Sequence, residues 1–244
     1  MYVRRQTRSS WKALGVFILT LAAIVIGAVT LENGNPTREP LPTAVQNGTA
    51  DVRAYFPSSV GFTQRFVGYG AEYASFTRTV SAVDGDLVLV QDQTTGTTVG
   101  AVYSRSPQRV ALLASVEEYS PETNLLAAVD RSASPKRIPL QAPIAVGNRW
   151  DDGSEVREIV QIIPEMSVPA GTFYDVVVVR SQPKYSTESE MTEYYALNIG
   201  LIRRDYVSNG GGQSQAVSTN LDSFGIKLPE AKVVEEPATE LEVE

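Results

Sequence analysis

Between Tyr55 and Phe224 the chain alternates short runs rich in Val, Ile, Thr, Tyr and Phe with Gly, Asp, Asn and Pro punctuation. β-Branched and aromatic side chains fit a pleated, half-buried surface, and the punctuating residues supply turns, so this stretch reads as many short strands. The runs predict strands at Thr63–Tyr69, Glu72–Val80, Asp86–Gln93, Thr97–Ser104, Gln108–Glu117 and Arg137–Gln141. Further strands are predicted at Glu155–Ile163, Phe173–Ser181, Glu190–Leu197, Gly200–Tyr206 and Gln215–Ser223. Asp84-Gly85-Asp86 and Thr95-Gly96-Thr97 supply hairpin turns between neighbours. Val110, Leu112, Ala114 and Val116 alternate with Arg109, Ser115 and Glu117, as on a strand with one buried face. Val176 to Val179 are apolar on both faces, which places their strand centrally. Only Tyr119 to Arg131 carries a helix signal, with Ser120-Pro121-Glu122 ahead of Leu125-Leu126-Ala127-Ala128. The expected fold class is mainly all-β, an antiparallel meander forming a curved open sheet or a closed barrel.

A second feature sets the address. Residues 13–31 contain no charged side chain, and about 19 residues of helix span roughly 28 Å, close to the hydrocarbon thickness of a bilayer. Arg4, Arg5, Arg8 and Lys12 precede the run with no acid among them, and Glu32 is the first charge after it. The positive-inside rule then puts residues 1–12 in the cytoplasm, makes 13–31 a transmembrane signal-anchor, and carries the rest of the chain outside. A cleaved signal peptide is the rival reading, but its apolar region is shorter, about 7–15 residues. Ala23 and Gly27 form one small-x-x-x-small pair, a weak hint of helix pairing.

The flanks of the β-region differ in composition. Residues 32–52 hold Pro36, Pro40, Pro42 and two Asn-Gly pairs without apolar periodicity, a flexible tether. Asn47-Gly48-Thr49 matches a glycosylation triplet, a frequent chance occurrence. Residues 226–244 carry Glu230, Glu235, Glu236, Glu240, Glu242 and Glu244 with Pro and no aromatic residue, the composition of a disordered acidic tail. The extracytoplasmic β-domain is therefore expected over 53–225. An internal duplication is suggested by Pro57-Ser58-Ser59-Val60-Gly61 and Pro143-Ile144-Ala145-Val146-Gly147, each just ahead of a strand.

Inventory closes many chemistries. There is no Cys, hence no disulfide, thiolate site or lipid-modified Cys, and no His, hence no Ser-His-Asp triad and no His-ligated zinc. The net charge of -7 gives nucleic acid no electrostatic support. An acid-pair hydrolase would have to draw on Glu117-Glu118, Asp151-Asp152 and Glu155, but adjacent acids on a strand point to opposite faces. Lys136 or Lys184 could pair with a serine nucleophile, yet neither a G-x-S-x-G nor an S-x-x-K motif is present. Asp84-Gly85-Asp86 and Asp151-Asp152-Gly153-Ser154-Glu155 could offer oxygen ligands to calcium, but they read more simply as turns. Gly210-Gly211-Gly212 reads as a loop, not a phosphate cradle.

Four stretches together resemble poorly characterised exported proteins of Gram-positive and related bacteria, often lipoproteins. They are Tyr55-Phe56-Pro57 with Val60-Gly61; Ala142-Pro143 with Val146-Gly147-Asn148-Arg149-Trp150; Val168 to Phe173 leading into Asp175-Val176; and Glu193-Tyr194-Tyr195-Ala196 with Ile199-Gly200-Leu201-Ile202. The resemblance implies an exported β-domain and brings no assigned activity. This chain departs from it in lacking a Cys to acylate, and in carrying Gln64 where the resemblance leads one to expect Trp. Read from the residues alone, Gly61, Gly147 and Gly200 suit positive-φ turns, Pro169-Ala170-Gly171 is a turn, and Trp150, Tyr194 and Tyr195 are core or barrel-end aromatics.

The expectation is a non-catalytic, membrane-anchored binding or assembly module of the bacterial cell envelope. Residues 13–31 would hold the membrane, the partner would be an envelope protein or polymer, and neither cofactor nor nucleic acid is called for. No catalytic, metal or cofactor residue is assigned. A carrier of an apolar ligand or lipid within the curved sheet is the alternative, and an acid-pair hydrolase the third reading.

Overall fold

The structure, a computed structural model, describes residues 51–70, 74–210 and 214–227. All lie in the second of two units, Pro42–Glu244. The expected cytoplasmic segment, the apolar run at 13–31, most of the tether and the acidic tail from 228 fall outside the described residues. No helix among the described residues is long and apolar enough to cross a membrane.

Twelve strands form one antiparallel sheet. They are β1 (Phe62–Tyr69), β2 (Phe76–Asp84), β3 (Leu87–Gln93), β4 (Thr98–Arg105), β5 (Arg109–Val116) and β6 (Arg137–Gln141), then β7 (Arg149–Asp151), β8 (Glu155–Val168), β9 (Gly171–Pro183), β10 (Ser189–Ala196), β11 (Gly200–Ser208) and β12 (Gln215–Ile226). The order is β6-β5-β4-β3-β2-β1-β12-β11-β10-β9-β8-β7, so the meander is nearly closed into a barrel with β6 and β7 at its two edges. Eleven of the strands were expected; the three-residue β7 was not, because Arg149-Trp150-Asp151 is too short to show a period. The helix expected within Tyr119–Arg131 contracts to one turn, α1 (Leu125–Ala128), capped by the Asn124 side chain.

The barrel is a six-strand unit used twice. Gly61 (φ 82°) donates its N–H to the carbonyl of Val80 at 2.8 Å, and Gly147 (φ 88°) donates to that of Ile159 at the same distance. In each case the accepting strand shifts register immediately afterwards, between Val80 and Ala82 and between Ile159 and Gln161. The fourth strands match too, with shifts at Val102/Tyr103 against β5 and at Tyr194/Tyr195 against β11. Tyr103 and Tyr195 are therefore equivalent positions. The two junctions between the halves differ: β1 and β12 zip together along their length, whereas β6 and β7 share no ladder.

Side chains seal that second junction. Trp150 donates its indole N–H to the carbonyl of Ile138 at 2.8 Å, and Asn148 Nδ2 donates to the carbonyls of Gln141 and Pro143, both at 2.8 Å. At the equivalent point of the first half, Gln64 stands three residues after Gly61 as Trp150 stands three after Gly147. There the seam is already zipped, so no bridging indole is needed.

Two cores flank the sheet. The main one fills the barrel with Phe66, Val80, Val88, Val90, Leu140, Trp150, Ile159, Val176, Val177, Val179 and Leu221, with Phe66 stacked on Phe76 at 4.5 Å between centroids. A 3-10 turn at Val52–Tyr55 caps one end of it; the Val52 N–H donates to Pro107 at 3.3 Å, and Ala54 accepts from Asn198 at 2.6 Å. The second core lies on the outer face of β3 to β5, where Leu87, Leu89, Val102 and Leu113 meet Tyr119 and Leu125 from the segment that carries α1. This overturns the simple alternation expected for β5. The register shifts of β5 against β4 and β6 turn Leu113 into the outer core and leave Val116 40% exposed. Val176 to Val179 are all buried, as a central strand requires.

Candidate functional site

Inside the barrel, strands β6, β8, β10 and β11 bring four charged side chains to one point. Along β10 the period of two that buries Tyr195 carries Glu193 inward with it, and both are buried. Glu193 Oε2 accepts from Arg137 Nη2 at 3.0 Å, from Arg157 Nη2 in a tighter contact, and from the Tyr195 hydroxyl at 3.0 Å. Its Oε1 accepts from Arg204 Nε at 3.1 Å. Burial alone would push this carboxyl up, but the guanidinium groups of Arg137, Arg157 and Arg204 and the Tyr195 hydroxyl outweigh it and hold Glu193 well below the usual carboxylate range. The same surroundings act on the partners. Glu193 raises the Arg137 pKa, and burial, followed by the Glu193 charge, raises the Tyr195 phenol.

Arg157 is fully buried on β8, in the face that also buries Ile159. Besides Glu193 it meets Glu155 at 3.4 Å and Asp152 at 3.8 Å. Burial pushes the Asp152 carboxyl up against the opposing pull of Arg157, and its Oδ2 has no hydrogen-bond partner. On the far wall Arg78 forms a two-pronged pair with Asp92, at 2.7 and 2.6 Å.

A cavity of about 20 Å³ lies beside the cluster, lined by Arg78, Arg137, Arg204, Glu193, Gln64, the equivalent Tyr103 and Tyr195, and apolar neighbours. Gln64 is buried and donates its Nε2 to the carbonyls of Ile199 at 3.2 Å and Leu201 at 3.0 Å, which leaves its Oε1 without a partner. Arg137 Nε and Arg157 Nε also lack partners. The lining thus holds three guanidinium groups and one carboxylate already saturated by donors.

Of the acids singled out in the sequence, Asp152 and Glu155 come together on Arg157, which pairs with both, and the others stand apart. Glu117 and Glu118 are exposed beyond β5. Asp151 points outward to Lys184 at 2.6 Å while Asp152 turns inward, so the two adjacent acids do lie on opposite faces. Asp84 and Asp86 hold Arg131 at 2.6 and 2.7 Å instead of framing a cation loop. Among the described residues no group of three or more acids stands close enough to hold a metal ion. Lys136 is exposed on the approach to β6. Trp150 and Tyr195 are core aromatics as read, and Tyr194 is half-buried, with the Arg203 guanidinium 5.5 Å from its ring centroid. The apolar-carrier reading needs a cavity of several hundred Å³. The space found is water-sized and rimmed by arginines, which leaves an apolar ligand no room there.

Glu193 figures in the sequence only within the stretch Glu193-Tyr194-Tyr195-Ala196, and Arg137, Arg157 and Arg204 carry no site signal of their own there. The signal was present: Tyr195 and Trp150 were read as core, and two residues away on the same faces stand Glu193 and Asp152.

No family model matches the chain, and no curated protein matches it either. Two solved structures resemble it. One, from Bacteroides fragilis and described as exported with a YmcC-like fold, is 15% identical over 70% of this chain and 98% of its own, with a TM-score of 0.43. The other, from Parabacteroides distasonis and described as a lipoprotein, is 16% identical over the same shares of the two chains, with a TM-score of 0.37. Like the proteins that the four sequence stretches resemble, these two are described as an exported protein and a lipoprotein.

Proposed function

We propose that this chain is a non-catalytic binding or assembly module of the cell envelope, held in the membrane by residues 13–31 and displaying its β-barrel on the outer side. The observation that carries the non-catalytic part is the state of Glu193. Proton-transfer catalysis needs a carboxyl that can give or take a proton near working pH. Glu193 is instead fixed as an anion whose oxygens already accept from three arginines and a tyrosine. The uncharged run at 13–31 with its basic flank supports the address.

Two measurements test this reading on the full-length chain in cells. Protease added to intact cells is expected to digest the β-domain and spare a membrane-embedded N-terminal fragment; full protection of the β-domain would refute the address. In-cell cross-linking from exposed positions around the barrel is expected to capture a discrete envelope protein or polymer. A chain that cross-links to nothing under those conditions would refute the binding role.

A further inference from the structure

One end of the barrel carries apolar side chains that the fold leaves uncovered. β1 starts and β12 finishes at this end, and the turns β2–β3, β4–β5, β6–β7, β8–β9 and β10–β11 lie around it. The Lys227 N–H donates to the Gly61 carbonyl at 2.8 Å, which holds Val60 and Ile226 on either side of one fixed bond. Their side chains are 56% and 60% exposed. Phe224 is exposed beside them, its ring centroid 6.2 Å from that of Phe62 and 6.1 Å from that of Phe173. The internal repeat supplies a matching point across the barrel. Val146 precedes Gly147 as Val60 precedes Gly61, is 61% exposed, and stands ahead of β7, six strands from β1 in the order.

What covers this end follows from three observations. The chain enters here, since Asp51 leads into the 3-10 turn whose Val52 N–H bonds Pro107 in the β4–β5 turn. Residues 32–50 are all that separate this entry from the uncharged run at 13–31, so a bilayer holding that run is offered to the barrel at high effective concentration. Backbone groups at the patch are already satisfied: Gly61 bonds Val80 through its N–H and Lys227 through its carbonyl, and the Phe62 N–H bonds Ser59 at 2.9 Å. Those groups have nothing left to offer a pairing strand, whereas contact with hydrocarbon requires them satisfied. Equivalent valines half a turn of the barrel apart suit a broad, flat partner. Charge adds no net attraction, because exposed Arg109, Arg149 and Lys227 share this end with the six glutamates of residues 228–244, which follow Lys227.

We infer that this end of the β-barrel seats on the outer surface of the bilayer, with Val60, Phe224 and Ile226 at one side and Val146 at the other entering the interfacial layer. The inference rests on the proposed membrane address and gives the barrel its orientation there.

The chain has no Cys, so single labels test it directly. Val60→Cys, Val146→Cys and Ile226→Cys each take one nitrobenzoxadiazole label on the full chain, reconstituted in phosphatidylcholine vesicles. Tyr185→Cys, in the β9–β10 turn at the opposite end and 96% exposed, is the reference. Labels at the first three positions are expected to emit to the blue of the reference and to be quenched severalfold more by a nitroxide-bearing phosphatidylcholine. Adding phosphatidylglycerol is expected to leave that ratio unchanged. Val60→Asp made together with Val146→Asp is expected to remove most of the quenching of the label placed at Ile226. A label at Val60 or Val146 as wet as the reference overturns the inference. So do blue-shifted labels that nitroxide lipid leaves unquenched, which would put a second copy or residues 228–244 on the patch. Quenching that appears only with phosphatidylglycerol overturns it too. Each label reads alone at an exposed position, so a variant that fails to fold leaves the others to decide. Digestion of the β-domain by protease on intact cells, together with wet labels at all three positions, would keep the proposed address and remove this contact.

Discussion

The indole N–H of Trp150 meets the carbonyl of Ile138 at 2.8 Å, and this bond joins two edge strands that no backbone ladder connects. Its energetic meaning follows from what would be left behind. Trp150→Phe keeps most of the buried ring but leaves a part-buried carbonyl without its donor. The expected cost is about 1 kcal/mol in urea unfolding, the net worth of a hydrogen bond whose acceptor water can partly reach. An unchanged midpoint would mean that Asn148 and the β6–β7 turn hold the seam by themselves.

Among the described residues, Glu193 is the one acid on which three guanidinium groups converge. Glu193→Gln removes the charge but not the shape, and Arg157, which is fully buried, loses its tightest partner. Breaking a buried ion pair from one side costs about 3–5 kcal/mol. The pH dependence has a definite sign. The folded pKa lies well below the ordinary glutamate value of 4.5, so the stabilisation is fully present above that value and is lost as pH falls through the folded pKa. The gap in unfolding free energy between wild type and Glu193→Gln is therefore expected to be constant from pH 6 to 8 and to close below about pH 4.5. A gap that stays constant on the acid side would contradict the assigned role.

The two equivalent glycines should respond differently to the same change. Both need positive φ and both donate to the carbonyl ahead of a register shift. A Cβ on Gly147 would meet nothing within 4 Å, so Gly147→Ala carries only the backbone cost, about 1–2 kcal/mol. A Cβ on Gly61 would stand 2.5 Å from the Lys227 carbonyl oxygen, so Gly61→Ala must also displace the end of β12. Gly61→Ala is expected to be the more destabilising of the pair in thermal and urea unfolding. Equal losses would argue against the clash.

The strand pattern was legible because strands declare themselves through local turn chemistry and β-branched runs, as with Asp84-Gly85-Asp86 between β2 and β3. Closure was not, since whether β1 pairs with β12 is a contact between the two ends of the domain. The charged interior was hidden for a different reason. Glu193, Arg157 and Arg204 look like ordinary surface residues unless the period of two is followed strictly from Tyr195 and Ile159. The register shifts then break that period in β5 and β11, so local alternation misplaces Leu113 and Val116.

Gln64 tests the duplication itself. At the same offset from its glycine as Trp150, it reaches the carbonyls of Ile199 and Leu201 instead of bridging a seam. Gln64→Leu leaves both without that donor and is expected to cost about 1–3 kcal/mol. Gln64→Trp would make the two halves alike in sequence, yet it has no open seam to bridge, since β1 is laddered to β2 and β12. A single indole N–H could replace only one of the two donated bonds, and the ring would have to fit a cavity of about 20 Å³. Overpacking of this kind typically costs about 1–3 kcal/mol in addition. Gln64→Trp is therefore expected to unfold at lower urea than Gln64→Leu. A Trp variant as stable as wild type would show that the first junction tolerates the wedge of the second, and the asymmetry argued between them would be wrong.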